Sequence, residues 1–124
     1  MNRILVVDDE QLTADTLGLI FEKQGFITRV AYTVDSAMDC ARVFNPELIL
    51  CDITMPGRDG LELLIDVARE MPNCRVLVLT GYYSNLVPVF EQTRKTPQRT
   101  HVLTKPCQPE ELLREAARIL AAVS

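Results

Sequence analysis

Tryptophan is absent from this chain of 124 residues, histidine occurs once, and glycine only five times. The four cysteines, Cys40, Cys51, Cys74 and Cys107, lie 11, 23 and 33 residues apart. No CxxC pair exists, the single His101 cannot complete a Cys/His zinc cluster, and no disulfide framework is implied. The expected state is free thiols in a reducing cytoplasm. Walker-type GxxxxGK[ST] and GxGxxG glycine patterns are missing, which removes support for nucleotide binding. No Ser-His-Asp set is visible. No window approaches the roughly 20 apolar residues of a membrane span, and Arg3 and Asp8-Asp9 interrupt the only early apolar run, so no signal peptide is expected. The net charge of -4 disfavours nucleic acid and anionic membrane as direct partners.

What is present is an ordinary globular composition, 48% hydrophobic and 24% charged, on a chain of one-domain length. Such a chain buries roughly two-thirds of its unfolded surface and needs no staple to fold. A single domain over 1–124 is expected.

Five short apolar runs alternate with helical patterns. Arg3 to Val7 stops at Asp8-Asp9. Leu12 to Gln24 has helical spacing, with Leu12, Leu17, Ile20 and Phe21 near one stripe and Gly25 as a stop. Ile27 to Ala31 is a second strand. Thr33 caps a helix with Val34, Ala37, Met38 and Ala41 inward, ended by Asn45-Pro46. Leu48 to Cys51 is apolar throughout and runs into Asp52, the pattern of a strand buried on both faces. A Pro/Gly loop, Met55-Pro56-Gly57-Arg58-Asp59-Gly60, leads to a third helix marked by Leu61, Leu64, Ile65 and Ala68. Arg75 to Leu79 ends at Thr80-Gly81. A short helix is expected after Ser84 or Asn85, with Pro88 in its first turn and Thr96-Pro97 as its end. His101 to Thr104 is a weaker fifth strand before Lys105-Pro106. Pro109 opens a final helix with Leu112, Leu113, Ala116, Ala117 and Leu120 inward.

Strand and helix alternating five times with short connections predict an α/β fold, a parallel five-stranded sheet with helices on both faces. Right-handed crossovers favour the flavodoxin-like order 2-1-3-4-5. In that order the carboxyl ends of strands 1, 3, 4 and 5 deliver Asp8 and Asp9, Asp52, Thr80 and Lys105 to one edge. Any one polar residue there is ordinary, since strands end and the next residue is usually polar. Three carboxylates and a lysine converging are not. The carboxylates repel; Lys105 offsets one charge and a divalent cation would offset two. Hard oxygen donors without Cys or His suit Mg²⁺, or Mn²⁺. The set can bring a phosphoryl group to Asp52 as nucleophile, with Lys105 neutralising charge and the Thr80 hydroxyl binding a phosphoryl oxygen. His101, in a weak strand, is expected to be an edge histidine and not a catalytic one.

The sequence resembles the receiver domain of bacterial two-component response regulators. The matching text is I-L-V-V-D-D-E at 4–10, L-I-L-C-D-I-T-M-P-G-R-D-G-L-E-L-L at 48–64, V-L-V-L-T-G at 76–81 and L-T-K-P at 103–106. Each motif is weak singly; in order, at these spacings, they are specific. The resemblance implies phosphotransfer from a sensor histidine kinase or phosphotransfer protein onto Asp52. It implies Mg²⁺ held by Asp8, Asp9, Asp52 and the backbone carbonyl of Thr54. It makes Thr80 the switch hydroxyl and Lys105 the phosphate-binding lysine, with the Lys105-Pro106 bond usually cis. The domain catalyses its own phosphorylation and dephosphorylation but is not expected to be an enzyme on outside substrates. A magnesium phosphatase with an aspartyl nucleophile normally carries a general-acid Asp two residues on, where this chain has Thr54.

The chain departs from the family pattern at Val102, three residues before Lys105, where the family has Tyr or Phe, and through Tyr82 to Thr100, which holds Pro88 and Pro97. His101 is expected on the opposite sheet face from Val102. These departures motivate an alternative: an interaction module whose output does not depend on phosphate. The family's kinases dock on the first helix and the loop after strand 5, so Thr13, Ala14, Leu17 and Cys107 are expected contacts. Output is expected through a downstream protein partner, or through an effector domain of a larger regulator.

Overall fold

The computed structural model describes residues 2–52, 60–80, 100–104 and 108–121. The strands are β1 (Arg3–Val7), β2 (Ile27–Ala31), β3 (Leu48–Asp52), β4 (Arg75–Thr80) and β5 (Thr100–Thr104). They form one parallel sheet in the order β2-β1-β3-β4-β5. The described helices are α1 (Gln11–Lys23), α2 (Val34–Phe44), α3 (Gly60–Glu70) and α4 (Pro109–Ala121). This is the flavodoxin-like topology expected from the alternation of apolar runs and helical patterns. The expected helix within 84–96 lies outside the described residues. Among those residues no helix is long and apolar enough to cross a membrane.

The unbroken apolar runs have a direct cause. Alternate strand residues face opposite sides of the sheet, and both sides are covered. Leu5, Val7, Ile49, Cys51, Val76 and Val78 pack with α2 and α3, on Ala37, Met38, Ala41, Leu63 and Val67. Ile4, Val6, Leu48, Leu50, Leu77 and Leu79 pack with α1 and α4, on Ala14, Phe21, Leu112, Ala116 and Ile119. Central strands therefore have no polar face.

Local signals fix the helix ends. Thr33 Oγ1 accepts the Ser36 N–H at 3.1 Å, capping α2. Asn45 ends that helix in the left-handed region at φ 52°. Gly25, at φ 97°, closes α1, its N–H donating to Glu22 O and that of Phe26 to Phe21 O, a turn that glycine makes without steric cost. Arg42 bridges α2 to α3 by donating from Nε and Nη2 to the two carboxylate oxygens of Glu70.

Three inner faces differ from the sequence reading. In α1 the buried residues are Ala14, Gly18 and Phe21, while Leu12 is 77% exposed. Near β2 the helix approaches so closely that Gly18 faces the strand, a Cβ there lying 2.8 Å from Val30 Cγ2. In α3 the buried set is Leu63, Leu64 and Val67, and Ile65 is exposed. In α4 Ile119 is buried and Ala117 exposed. Among the described residues, Cys40, Cys51 and Cys74 are not joined in disulfides.

Candidate functional site at the carboxyl edge of the sheet

The sheet register sets the site. Ala31, Val7, Cys51, Val78 and Val102 form one row across all five strands. Four of them are buried in the cluster beneath α2 and α3, and Val102 packs against it half-buried. One residue further along β1 and β3 the chain turns acidic. Asp8 follows Val7, Asp52 follows Cys51, and Asp52 is paired with Leu79. Asp8 and Asp52 are thus level on adjacent strands. Thr80 ends β4 one step beyond, paired with Thr104. Lys105 and Thr54 lie outside the described residues, and of Asp52 and Thr80 the backbone positions are described.

Asp8 is held firmly. Its N–H donates to Ala31 O at 3.1 Å, extending the ladder past the end of β1. Its Oδ1 accepts the Glu10 N–H at 3.0 Å, an Asx-type turn that ends the strand and aims the chain into α1. Asp8 is 2% exposed, whereas Asp9 beside it is exposed. One carboxylate of the acidic pair is therefore built into the protein and the other faces solvent.

The next strand supplies a brace. The Tyr32 hydroxyl donates to Asp15 Oδ1 at 2.6 Å, tying the end of β2 to α1. Donation to that carboxylate raises the Tyr32 pKa above the ordinary phenol value.

At β5 the two residues singled out in the sequence face opposite ways. Val102 is level with Val78, on the α2–α3 side, and His101 is level with Leu77, on the α1–α4 side. His101 lies near Glu115 of α4. The Glu115 carboxyl is held below its usual range, first by its hydrogen bond from Arg118, against some desolvation, and further by the charges of Arg118 and His101. His101 therefore cannot stand in for an aromatic at 102. Of the expected docking residues on α1, Thr13 and Leu17 are half-buried, and Ala14 is fully buried against the sheet. Cys107 is outside the described residues.

Among the described side chains, which do not include that of Asp52, no group of three His, Cys, Asp or Glu residues could hold a metal ion. The sheet nevertheless brings Asp8, Asp9, Asp52 and Thr80 to the same edge, where ligand sites of open α/β sheets are built. The family model of the response regulator receiver domain matches residues 4–117. This chain belongs to that family. The receiver is similar to the CheY-like receiver domain protein from Methanospirillum hungatei, with 27% identity, TM-score 0.86, and coverage of 98% of this chain and 94% of that one. It is similar to the receiver domain of NtrX from Brucella abortus, with 31% identity, TM-score 0.84 and coverage of 96% and 98%. It also matches the Francisella response regulator 1452 receiver domain over the full length of both chains, with 26% identity and TM-score 0.85. Against a longer NtrX chain, the receiver spans 27% of that chain.

Proposed function

We propose that this receiver accepts a phosphoryl group on Asp52 from a histidine kinase or phosphotransfer protein and signals through the resulting surface change. The observation that carries the reading is the register: Asp8 and Asp52 level on neighbouring strands, with Thr80 one step beyond. A nucleophilic Asp52 oxygen attacks phosphorus, and the P–N bond of a phosphohistidine breaks. The imidazole leaves with the bonding pair and takes a proton, leaving an acyl phosphate on Asp52. Lys105 supplies a positive charge to the phosphoryl oxygens, and the Thr80 hydroxyl donates to one of them.

The residues present fit a hard divalent cation. Their donors are all oxygen, and Asp8, a buried carboxylate, is level with Asp52 on the neighbouring strand, a set that suits a hard cation. Asp8, Asp9, Asp52 and the Thr54 carbonyl would hold Mg²⁺ or Mn²⁺. Bound there, the cation neutralises charge developing on the transferred group. The role of Asp8 is to hold its carboxylate in one orientation through the Glu10 N–H.

The test is incubation with Mg²⁺ and acetyl phosphate, read by intact mass. A gain of one phosphoryl group, lost in Asp52→Asn and lost with chelator, is the expected outcome. No gain under conditions that label another receiver contradicts it.

One observation favours a second reading. Val102 is packed where the resemblance places a moving ring. An output independent of phosphate predicts partner affinity unchanged by beryllofluoride. A tenfold change, about 1.4 kcal/mol of coupling, argues for phosphate control.

A further inference from the structure

β2 is an edge strand, and its outward backbone can be assigned. The Ile27 N–H donates to Asn2 O, and Ala31 O accepts from the Asp8 N–H. Residues 27, 29 and 31 therefore turn their backbone groups toward β1. Alternation leaves Thr28 and Val30 with their N–H and C=O groups directed away from the sheet. An unpaired pair of donors and acceptors is a template for another strand.

This edge does not face open solvent. Gly18 lets α1 lie against β2, since a Cβ there would stand 2.8 Å from Val30 Cγ2. The flank of the helix overhangs the strand and makes a groove of about 290 Å³, with Asp15, Leu19 and Glu22 on the helix side and Thr28, Arg29 and Val30 on the strand side. Leu19 is 56% exposed. Arg29 also lines the groove, with its guanidinium 4.8 Å from the Phe44 ring centre, so two acids and one base border it.

We propose that this groove binds an extended segment of a partner protein that adds to β2 as a sixth strand and carries basic, apolar and basic residues at every second position, all on the face toward α1. Backbone groups of Thr28 and Val30 pair with the segment; on the face toward α1 its apolar side chain covers Leu19, and the basic side chains two positions to either side meet Asp15 and Glu22. Charge selects this occupant over a second copy of the chain. Two β2 strands joined about a two-fold axis perpendicular to the sheet would place both α1 helices on the same face. Asp15 and Glu22 of one copy would then confront those of the other. The inference does not depend on phosphorylation of Asp52.

The experiment uses the full chain and a short fluorescent peptide with lysine, valine and lysine at every second position and threonine between them, read by anisotropy. Saturable binding is expected. It weakens at least about tenfold in Glu22→Lys, and likewise in Thr28→Pro, a substitution that an edge position with an outward N–H tolerates. A backbone N-methylated copy of the peptide, with its charge kept and its donors removed, is expected not to bind. Equal binding of the N-methylated peptide, indifference to both substitutions, or no binding overturns the proposal. So does a concentration-dependent dimer of the chain abolished by Thr28→Pro, which would assign the edge to a second copy.

Discussion

Gly18 and Val30 are in contact that admits no further atom: a Cβ at position 18 would lie 2.8 Å from Val30 Cγ2. Val30 is β-branched and stiff at χ1, and its strand is fixed to β1 over five paired residues. The clash must therefore move the helix or the strand.

Gly18→Ala is accordingly expected to destabilise the protein, although alanine is the better helix former by about 1 kcal/mol. Overpacking of about 1–3 kcal/mol outweighs that gain. Urea unfolding checks it, and the double variant Gly18→Ala, Val30→Ala is expected to be less destabilised than the two single costs added. A stabilised Gly18→Ala would contradict the packing described.

The cap on α2 is open to a similar check. Thr33→Ala removes the acceptor of the Ser36 N–H and is expected to cost about 1 kcal/mol, read by thermal or urea unfolding. Thr33→Asn or Thr33→Asp is expected to retain most of the stability, because either side chain accepts the same N–H.

Cys74 gives a pH dependence with a definite sign. Burial raises its thiol pKa from 9.0 to about 12. Between those values the unfolded chain gives up the proton and the folded one keeps it. This contribution to stability is fully present below the unfolded value and is lost as pH rises through the window. The loss approaches about 1.4 kcal/mol per pH unit. The stability difference between wild type and Cys74→Ala is expected to shrink as pH rises from 9 toward 10 and 11. In the native protein at neutral pH, Cys74 is expected to resist iodoacetamide until denaturant is added. Rapid native-state labelling would contradict its burial.

The strands β1, β3 and β4 were legible in the sequence because the sheet is covered on both faces there, so that each is an apolar run with a polar stop. The same stops named Asp8, Asp52 and Thr80, and topology brought them to one edge. The inner face of α1 was not legible. Hydrophobicity points to Leu12 as an inner residue, whereas the close approach to β2 demands Ala14 and Gly18, and the only signal was a glycine in the middle of a helical pattern. Ile119 was passed over because the small-residue rhythm of Ala116 and Ala117 drew the stripe one position aside. The groove beside β2 leaves no trace in periodicity at all. It arises from which backbone groups an edge strand turns outward.

The proposed acidic pair divides into unlike halves, and the division is testable. Asp8 is buried with its carboxylate oriented by the Glu10 N–H, and Asp9 is exposed. Asp8→Asn and Asp9→Asn are both expected to weaken Mg²⁺ binding, measured by titration calorimetry. Only the change at 8 is expected also to alter stability in chelator, because it replaces a buried carboxylate that accepts the Glu10 N–H. Equal stability of the two variants in chelator would count against this assignment.

The central claim is that Asp52 is the phosphoacceptor. The most direct measurement is to phosphorylate the protein with a small phosphodonor and Mg²⁺, reduce the acyl phosphate with borohydride, and map the product by peptide mass spectrometry. Reduction of an aspartyl phosphate leaves homoserine. The account predicts homoserine at position 52 alone, and none in protein treated without Mg²⁺. Homoserine at another aspartate with position 52 unchanged would contradict it.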